Sequence, residues 1–294
     1  MKRIITAMTI LFLILTGTTF AGDRPTTIDA FLDPGGRTWV IAHRGFSGRA
    51  PENTVAAIRE AIAIGADMAE IDVTLTADER VVVIHDETLQ RTTNGHGNVA
   101  EHDFDEIRSL DAGSWFAPQF AGEKVPTLGE ALDTTMGRIL LNVEIKSEAV
   151  DRGISDKVAA AIRERGMTKQ VIVSSFSPTA LEQMHAVAPE IRTAVLYNPE
   201  LQRGEDPVEI VRGLGASVFN IRGSRLKAKM LRSCREHGIP VGVYTVDKPK
   251  KMKRWVKKGI DAIFTNHPDR LIEILEEKSR TVPQPTLVPA TALP

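Results

Sequence analysis

Two histidines, an arginine, a lysine and several carboxylates stand at the ends of short apolar runs in this chain. Trp39–Ala42 leads into His43-Arg44-Gly45, and Val81–Ile84 leads into His85-Asp86. Between them lies Glu70-Ile71-Asp72, and further along Asn142-Val143-Glu144-Ile145-Lys146. Alternate residues of a strand share a face. Glu70 and Asp72 therefore point one way, and Asn142, Glu144 and Lys146 share a direction on their own strand. With both strands in one sheet, three carboxylates converge at its carboxyl-terminal edge. Three hard oxygen donors with no thiolate suit Ca2+ or Mg2+, at about 2.0–2.6 Å. An imidazole with an unperturbed pKa of about 6.5 exchanges protons at neutral pH. Two of them beside a divalent ion fit displacement at phosphorus, one activating the nucleophile and the other protonating the leaving alcohol. Arg44 offers a planar fork for a phosphate, and Lys146 a second positive charge.

Such convergence needs a scaffold of strands. Further apolar runs fall at 139–145, 170–175, 193–197, 217–221, 241–246 and 262–265. Helical patterns lie between most of them, as at 155–165, 179–187, 226–237 and 249–258. Strands alternating with helices predict a parallel sheet covered by helices. With 38–42, 68–73 and 81–85 the chain has nine candidate strands, which favours a closed (β/α)8 barrel with one strand to spare. The surplus is placed near Val81, because 77–80 is too short for a crossover helix. Asn53 is expected to cap a helix bearing Val55, Ile58 and Ile62 on one face, ended by Gly65. The polar stretch 87–124 reads as a small inserted subdomain over the mouth of the barrel, anchored by Trp115, Phe116 and Phe120.

Composition bounds the rest. An apolar fraction of 42% and a charged fraction of 26% over 294 residues are ordinary for a globular protein. A formal net charge of −1 lacks the basic footprint of a nucleic-acid binder. The single cysteine, Cys234, excludes an intrachain disulfide and a cysteine metal cluster. Lys2-Arg3, the apolar run Ile4–Leu15 and Thr19-Phe20-Ala21 predict a signal peptide over 1–21, cleaved after Ala21, and a secreted or periplasmic protein. That run is shorter than the roughly 20 residues that span a bilayer. Residues 22–36 read as a turn-rich lead-in, 38–276 as the barrel domain and 280–294 as a disordered tail. The basic stretch 248–258 reads as a solvated helix face; contact with anionic lipid is compatible with it but not implied.

The motifs together resemble the glycerophosphodiester phosphodiesterase family. They are His43-Arg44-Gly45, Pro51-Glu52-Asn53-Thr54, Glu70-x-Asp72-Val73, Val83-x-His85-Asp86, Asn142-x-Glu144-Ile145-Lys146 and Thr265-Asn266-x-Pro268. Within the insertion, Thr93-Asn94-Gly95-x-Gly97 and Asp111-x-Gly113-x-Trp115-Phe116 extend the likeness. The resemblance implies a TIM barrel and metal-dependent hydrolysis of glycerophosphodiesters to sn-glycerol 3-phosphate and an alcohol. It implies Glu70, Asp72 and Glu144 as metal ligands and His43 and His85 as the acid–base pair. Arg44 and Lys146 fall at positions that stabilise the phosphate, and Glu52 at one that helps hold Arg44 or the metal. Two positions depart from the family's pattern. Tyr244-Thr245-Val246-Asp247 replaces the usual tryptophan-threonine and following asparagine, so Tyr244 is expected as an aromatic wall for the alcohol. Asn266 stands where an aspartate is common. Two other readings stay open at this point: a lysophospholipase D-type enzyme, and a catalytically silent barrel that only captures phosphodiesters.

Overall fold

The computed structural model describes residues 26–33 and 36–281. The expected signal peptide and all but the first two residues of the expected tail lie outside that range. Those two, Arg280 and Thr281, end the helix Pro268–Thr281 instead. No helix among the described residues is long and apolar enough to cross a membrane.

Among the described residues nine strands form one sheet: β1 (Trp39–Ala42), β2 (Met68–Leu75), β3 (Val81–Val83), β4 (Leu140–Ile145), β5 (Val171–Ser175), β6 (Thr193–Leu196), β7 (Val218–Arg222), β8 (Val241–Tyr244) and β9 (Ala262–Thr265). All but β3 are parallel, and β1 pairs with both β9 and β2, so eight strands close a TIM barrel. The surplus strand is β3. It runs antiparallel to the outer end of β2, with Thr74 opposite Val82, as a five-residue connection requires.

Alternation along the strands sorts two cores. Ile71, Val73, Val143 and Ile145 face the helices. Trp39, Ile41, Met68, Leu140, Ile172, Val218 and Phe264 fill the lumen. The stretch read as a lead-in contributes to the lumen as well. Its helix α1 (Ile28–Phe31) buries Ile28 and Phe31 there, with Phe31 edge-on to Trp39 at 5.0 Å. The Ile28 N–H donates to the Lys169 carbonyl just before β5, so α1 closes the amino-terminal end of the barrel. Two apolar residues in a short turn-rich stretch carry no period, which is why the sequence does not announce this plug. Chemistry is left to the opposite, carboxyl-terminal end.

The insertion has its own small core of Val82, Ile84, Leu89, Val99, Ile107, Ala112 and Val125. Trp115, Phe116 and Phe120 are not its anchors. They pack edge-on against one another at 5.6–5.7 Å on the surface, and Trp115 is 40% exposed. The aliphatic residues succeed because β3 and the residue that follows it place Val82 and Ile84 directly under the insertion.

Candidate active site

β2 and β4 lie side by side with Asp72 in register with Glu144 and Glu70 with Asn142. One oxygen from each of Glu70, Asp72 and Glu144 lies within 4.8 Å of the others. Glu70 and Asp72 are almost wholly buried. Glu70 Oε2 accepts the Arg44 backbone N–H at 2.8 Å, but its Oε1 is buried without a hydrogen-bond partner. Burial, then Asp72 and Glu144, push the Glu70 carboxyl well above its ordinary range. Burial and Asp72 push Glu144 up to about 7, against the pull of Lys146. Burial works in the same sense on Asp72, but Lys146, Arg44 and His85 outweigh it and hold that carboxyl low. Three crowded carboxylates, one with an orphaned oxygen, match the donor set of a hard divalent cation, whose charge would relieve the repulsion. The residues present therefore fit such an ion.

The loop after β1 brings Arg44 to this cluster, and its backbone is bent to do so. Arg44 and Asn53 both take left-handed φ, 56° and 59°, a conformation that costs a non-glycine side chain about 1 kcal/mol or more and persists where contacts enforce it. At Arg44 the enforcing contact is its N–H on Glu70. Its Nη1 donates to Glu52 Oε1 at 2.7 Å, and its Nε lies 3.4 Å from Asp72 Oδ2. Gly45 also has positive φ, and a Cβ there would come within 2.5 Å of the Ala57 backbone, so only glycine lets the turn lie on the next helix. That helix, α2 (Val55–Ile64), is capped by Thr54, whose hydroxyl accepts the Ala57 N–H. Asn53 is not the cap. Its side chain donates to Asp72 Oδ2 at 2.8 Å and accepts the Asp72 N–H at 3.1 Å, clamping the central carboxylate. Lys146 Nζ lies 3.0 Å from Glu144 Oε1 and 3.6 Å from Asp72 Oδ1. Burial would lower its ammonium, but Glu144 and Asp72 more than offset that and raise it.

Each histidine is oriented through its Nδ1. Asn266 Nδ2 donates to Asp247 Oδ2 at 3.0 Å, which leaves Asn266 Oδ1 to accept from Ser47 Oγ and from His43 Nδ1 at 2.7 Å. That network assigns the proton to His43 Nδ1 and leaves Nε2 as the acceptor, 3.9 Å from Glu70 Oε2. Burial, then Arg44, lowers the His43 pKa below 6.5 despite Asp72 and Asn266, so the ring is neutral at pH 7. His85 Nδ1 instead meets a carboxylate, Asp86 Oδ1, at 2.6 Å. Arg91 grips the other side of Asp86 at 2.6 and 2.9 Å and reaches Glu52 at 2.7 and 2.8 Å. Its hydrogen bonds outweigh burial and keep Asp86 strongly acidic.

All the residues singled out in the sequence gather at this end of the barrel. Glu52 holds Arg44 and Arg91 and is not among the three clustered carboxylates. Tyr244 packs edge-on to Phe176 at 6.0 Å and Phe264 at 6.3 Å. Burial and then Glu144 raise its hydroxyl pKa, which puts the ring within electrostatic reach of the cluster. Sequence reasoning missed Arg91, the clamp by Asn53, and the Asp247–Asn266 link to His43. Arg91 sits in a polar stretch without period. The other two were in view only as a cap and as departures from a pattern.

An acidic triad, two histidines and two cations at the carboxyl-terminal mouth of a TIM barrel define a class of phosphate-handling barrel. Comparison makes this specific. Residues 43–270 match the Glycerophosphoryl diester phosphodiesterase family. A glycerophosphodiester phosphodiesterase of Caldanaerobacter subterraneus subsp. tengcongensis is 39% identical over 243 residues, covering 82% of this chain and 99% of that one. The crystal structure of glycerophosphodiester phosphodiesterase from Agrobacterium tumefaciens superposes with a TM-score of 0.72 at 33% identity, over 80% of this chain and 99% of that one. A phosphodiesterase of Oleispira antarctica, solved in complex with the product sn-glycerol-3-phosphate, has a TM-score of 0.73 at 30% identity, over 82% and 97%. The chain belongs to the glycerophosphoryl diester phosphodiesterase family.

Proposed function

We propose that this protein hydrolyses glycerophosphodiesters to sn-glycerol 3-phosphate and a free alcohol. The observation that carries this reading is the triad Glu70, Asp72 and Glu144 flanked by two histidines, each held through its Nδ1, His43 by an amide oxygen and His85 by a carboxylate. A divalent cation held by the three carboxylates supplies, when bound, Lewis-acid charge toward a phosphoryl oxygen. The chain's own groups do the rest. Arg44 and Lys146 meet the negative charge of the diester and of its crowded transition state. His43, half-buried and neutral, accepts at Nε2 the proton of the attacking water, whose oxygen bonds to phosphorus as the bond to the alcohol breaks, while Asn266 keeps its Nδ1 proton in place. His85 gives a proton from Nε2 to the leaving alcohol, with Asp86 Oδ1 holding the ring through its Nδ1 at 2.6 Å. One proton enters at one imidazole and one leaves at the other, so the pair returns to its starting state after exchange with solvent. Chelator-sensitive release of glycerol 3-phosphate from glycerophosphoethanolamine or glycerophosphocholine tests the proposal. Preferential release of choline from lysophosphatidylcholine, or no turnover of any diester, would refute it. Export follows from the leader ending at Ala21, and a mature chain starting at Gly22 in the secreted or periplasmic fraction is the expected finding.

Asn266→Ala removes the acceptor that fixes His43 and should lower kcat by about 10- to 10²-fold through misplacement of the ring. Circular dichroism of the variant should match the parent, and KM should change far less than kcat.

The triad also predicts how an added ion acts on stability. Below pH 4.5 Glu144 is protonated in both folded and unfolded chains. Between 4.5 and about 7 only the folded chain keeps the proton, so this group's contribution to stability falls as pH rises through that window, by about 3 kcal/mol in all. Glu70 acts in the same sense. His43 acts oppositely: its folded pKa is depressed, so stability lost to its protonation in the unfolded chain returns as pH climbs past 6.5. The rise in Tm caused by millimolar Ca2+ or Mg2+ over a chelated sample isolates the triad. It should be several degrees larger at pH 8 than at pH 5, because at pH 5 the ion must displace protons.

A further inference from the structure

The inward row of β2 does not stop at the acidic triad. Thr74 follows Glu70 and Asp72 on the same face, two residues or about 7 Å further out. It is only 4% exposed, and none of the side-chain hydrogen bonds among the described residues engages its hydroxyl, which is not one of the fully enclosed orphan atoms and so meets solvent. That hydroxyl borders a cleft of about 220 Å³ between the insertion and the segment after β4. Glu87, Asn98 and Glu101 line it from the insertion, and Glu148 and Arg152 from the other side. Arg152 is committed elsewhere, donating to the carbonyls of Leu75 at 3.2 Å and Thr76 at 2.6 Å. Three carboxylates against one guanidinium leave the cleft net negative. Glu148 follows Lys146 by two residues as Thr74 follows Asp72, so the cleft lies beside the two strand ends that carry the site.

This acidity is of a different kind from that of the triad. Its carboxylates are exposed and spread around a space large enough for a small aminoalkyl group. The lining offers oxygen acceptors and no aromatic ring. Quaternary ammonium groups are recognised on aromatic faces, having no hydrogens to donate. A primary ammonium has three, and seeks acceptors such as carboxylate and hydroxyl oxygens.

We propose that this cleft seats the alcohol end of the substrate and selects diesters whose alcohol bears a primary ammonium, received by Thr74, Glu101 and Glu148. The inference rests on the glycerophosphodiesterase reading above and names the substrate class for it.

The test is kcat/KM at low ionic strength for glycerophosphoethanolamine, glycerophosphocholine and glycerophosphoglycerol. The parent protein should prefer the ethanolamine diester over the neutral glycerol diester by about tenfold, the scale of two part-exposed charge contacts. The choline diester should fall below the ethanolamine diester. Glu101→Gln with Glu148→Gln should bring the ethanolamine-to-glycerol ratio to about twofold or less, and Thr74→Val should lower it about threefold. Both ratios are internal to each variant, so a partly folded preparation does not mimic the effect. Turnover without the ethanolamine preference, or a preference that survives both variants, overturns this inference alone. No turnover of any diester by the parent protein overturns the functional reading together with it.

Discussion

Replacing His43 or His85 with alanine is expected to lower turnover of a glycerophosphodiester by at least about 10²-fold in each case, the usual worth of a positioned acid or base. The two losses should differ in their pH dependence. His43 is desolvated and sits beside Arg44, so its neutral form dominates and its protonation should define the acid limb of the kcat/KM profile, below pH 6.5. His43→Ala should therefore flatten that limb. His85 draws on Asp86, which Arg91 keeps ionised, so its loss should fall hardest on substrates with a poor leaving alcohol. A p-nitrophenyl diester, whose leaving group needs no proton, should rescue His85→Ala but not His43→Ala. Near-parental rates in either variant with natural diesters, or equal rescue of both, would refute the assigned roles.

The parts of this site that the sequence makes legible share one property: they sit on strands. Period two places Glu70 and Asp72 together and Glu144 with Lys146, because a strand has only two faces. The same rule separates the lumen from the helix-facing core, and the short link 77–80 forces β3 to run antiparallel. What escapes is set by loops and by tertiary choice. Asn53 and Thr54 are both good helix caps. The decision went to Thr54 because Asn53 tolerates left-handed φ and is needed on Asp72. The residues at 247 and 266 stand out in sequence as two separate departures. In space they are one device, with Asp247 orienting the Asn266 amide so that its oxygen meets His43. Arg91 carries no pattern at all, yet it ties Glu52 to Asp86 and so couples the Arg44 side of the mouth to the His85 side. The aromatic trio of the insertion misleads for the converse reason. Large apolar residues are the usual anchors, but here Val82 of β3 and Ile84 just after it had already claimed the interior.

Glu144→Gln should separate stability from activity within one side chain. The substitution keeps the shape and an oxygen acceptor 3.0 Å from Lys146, and it removes the charge that burial and Asp72 disfavour. In the chelated protein at pH 8, where Glu144 is ionised, the variant should be more stable than the parent by about 1–3 kcal/mol. At pH 4.5, where the parent carboxyl is itself neutral, the gain should vanish. Hydrolysis should move the other way, falling by about 10²- to 10³-fold as the site loses one of the three charges proposed to hold a divalent ion. The ion-induced rise in Tm should shrink in step. Urea titrations at the two pH values, with and without a chelator, read the first effect, and glycerol 3-phosphate release reads the second. A purely structural carboxylate would give the reverse pattern, because losing its ion pair with Lys146 would destabilise the fold at pH 8 and leave hydrolysis intact. Opposite signs in the two assays are what a site under electrostatic strain for function requires.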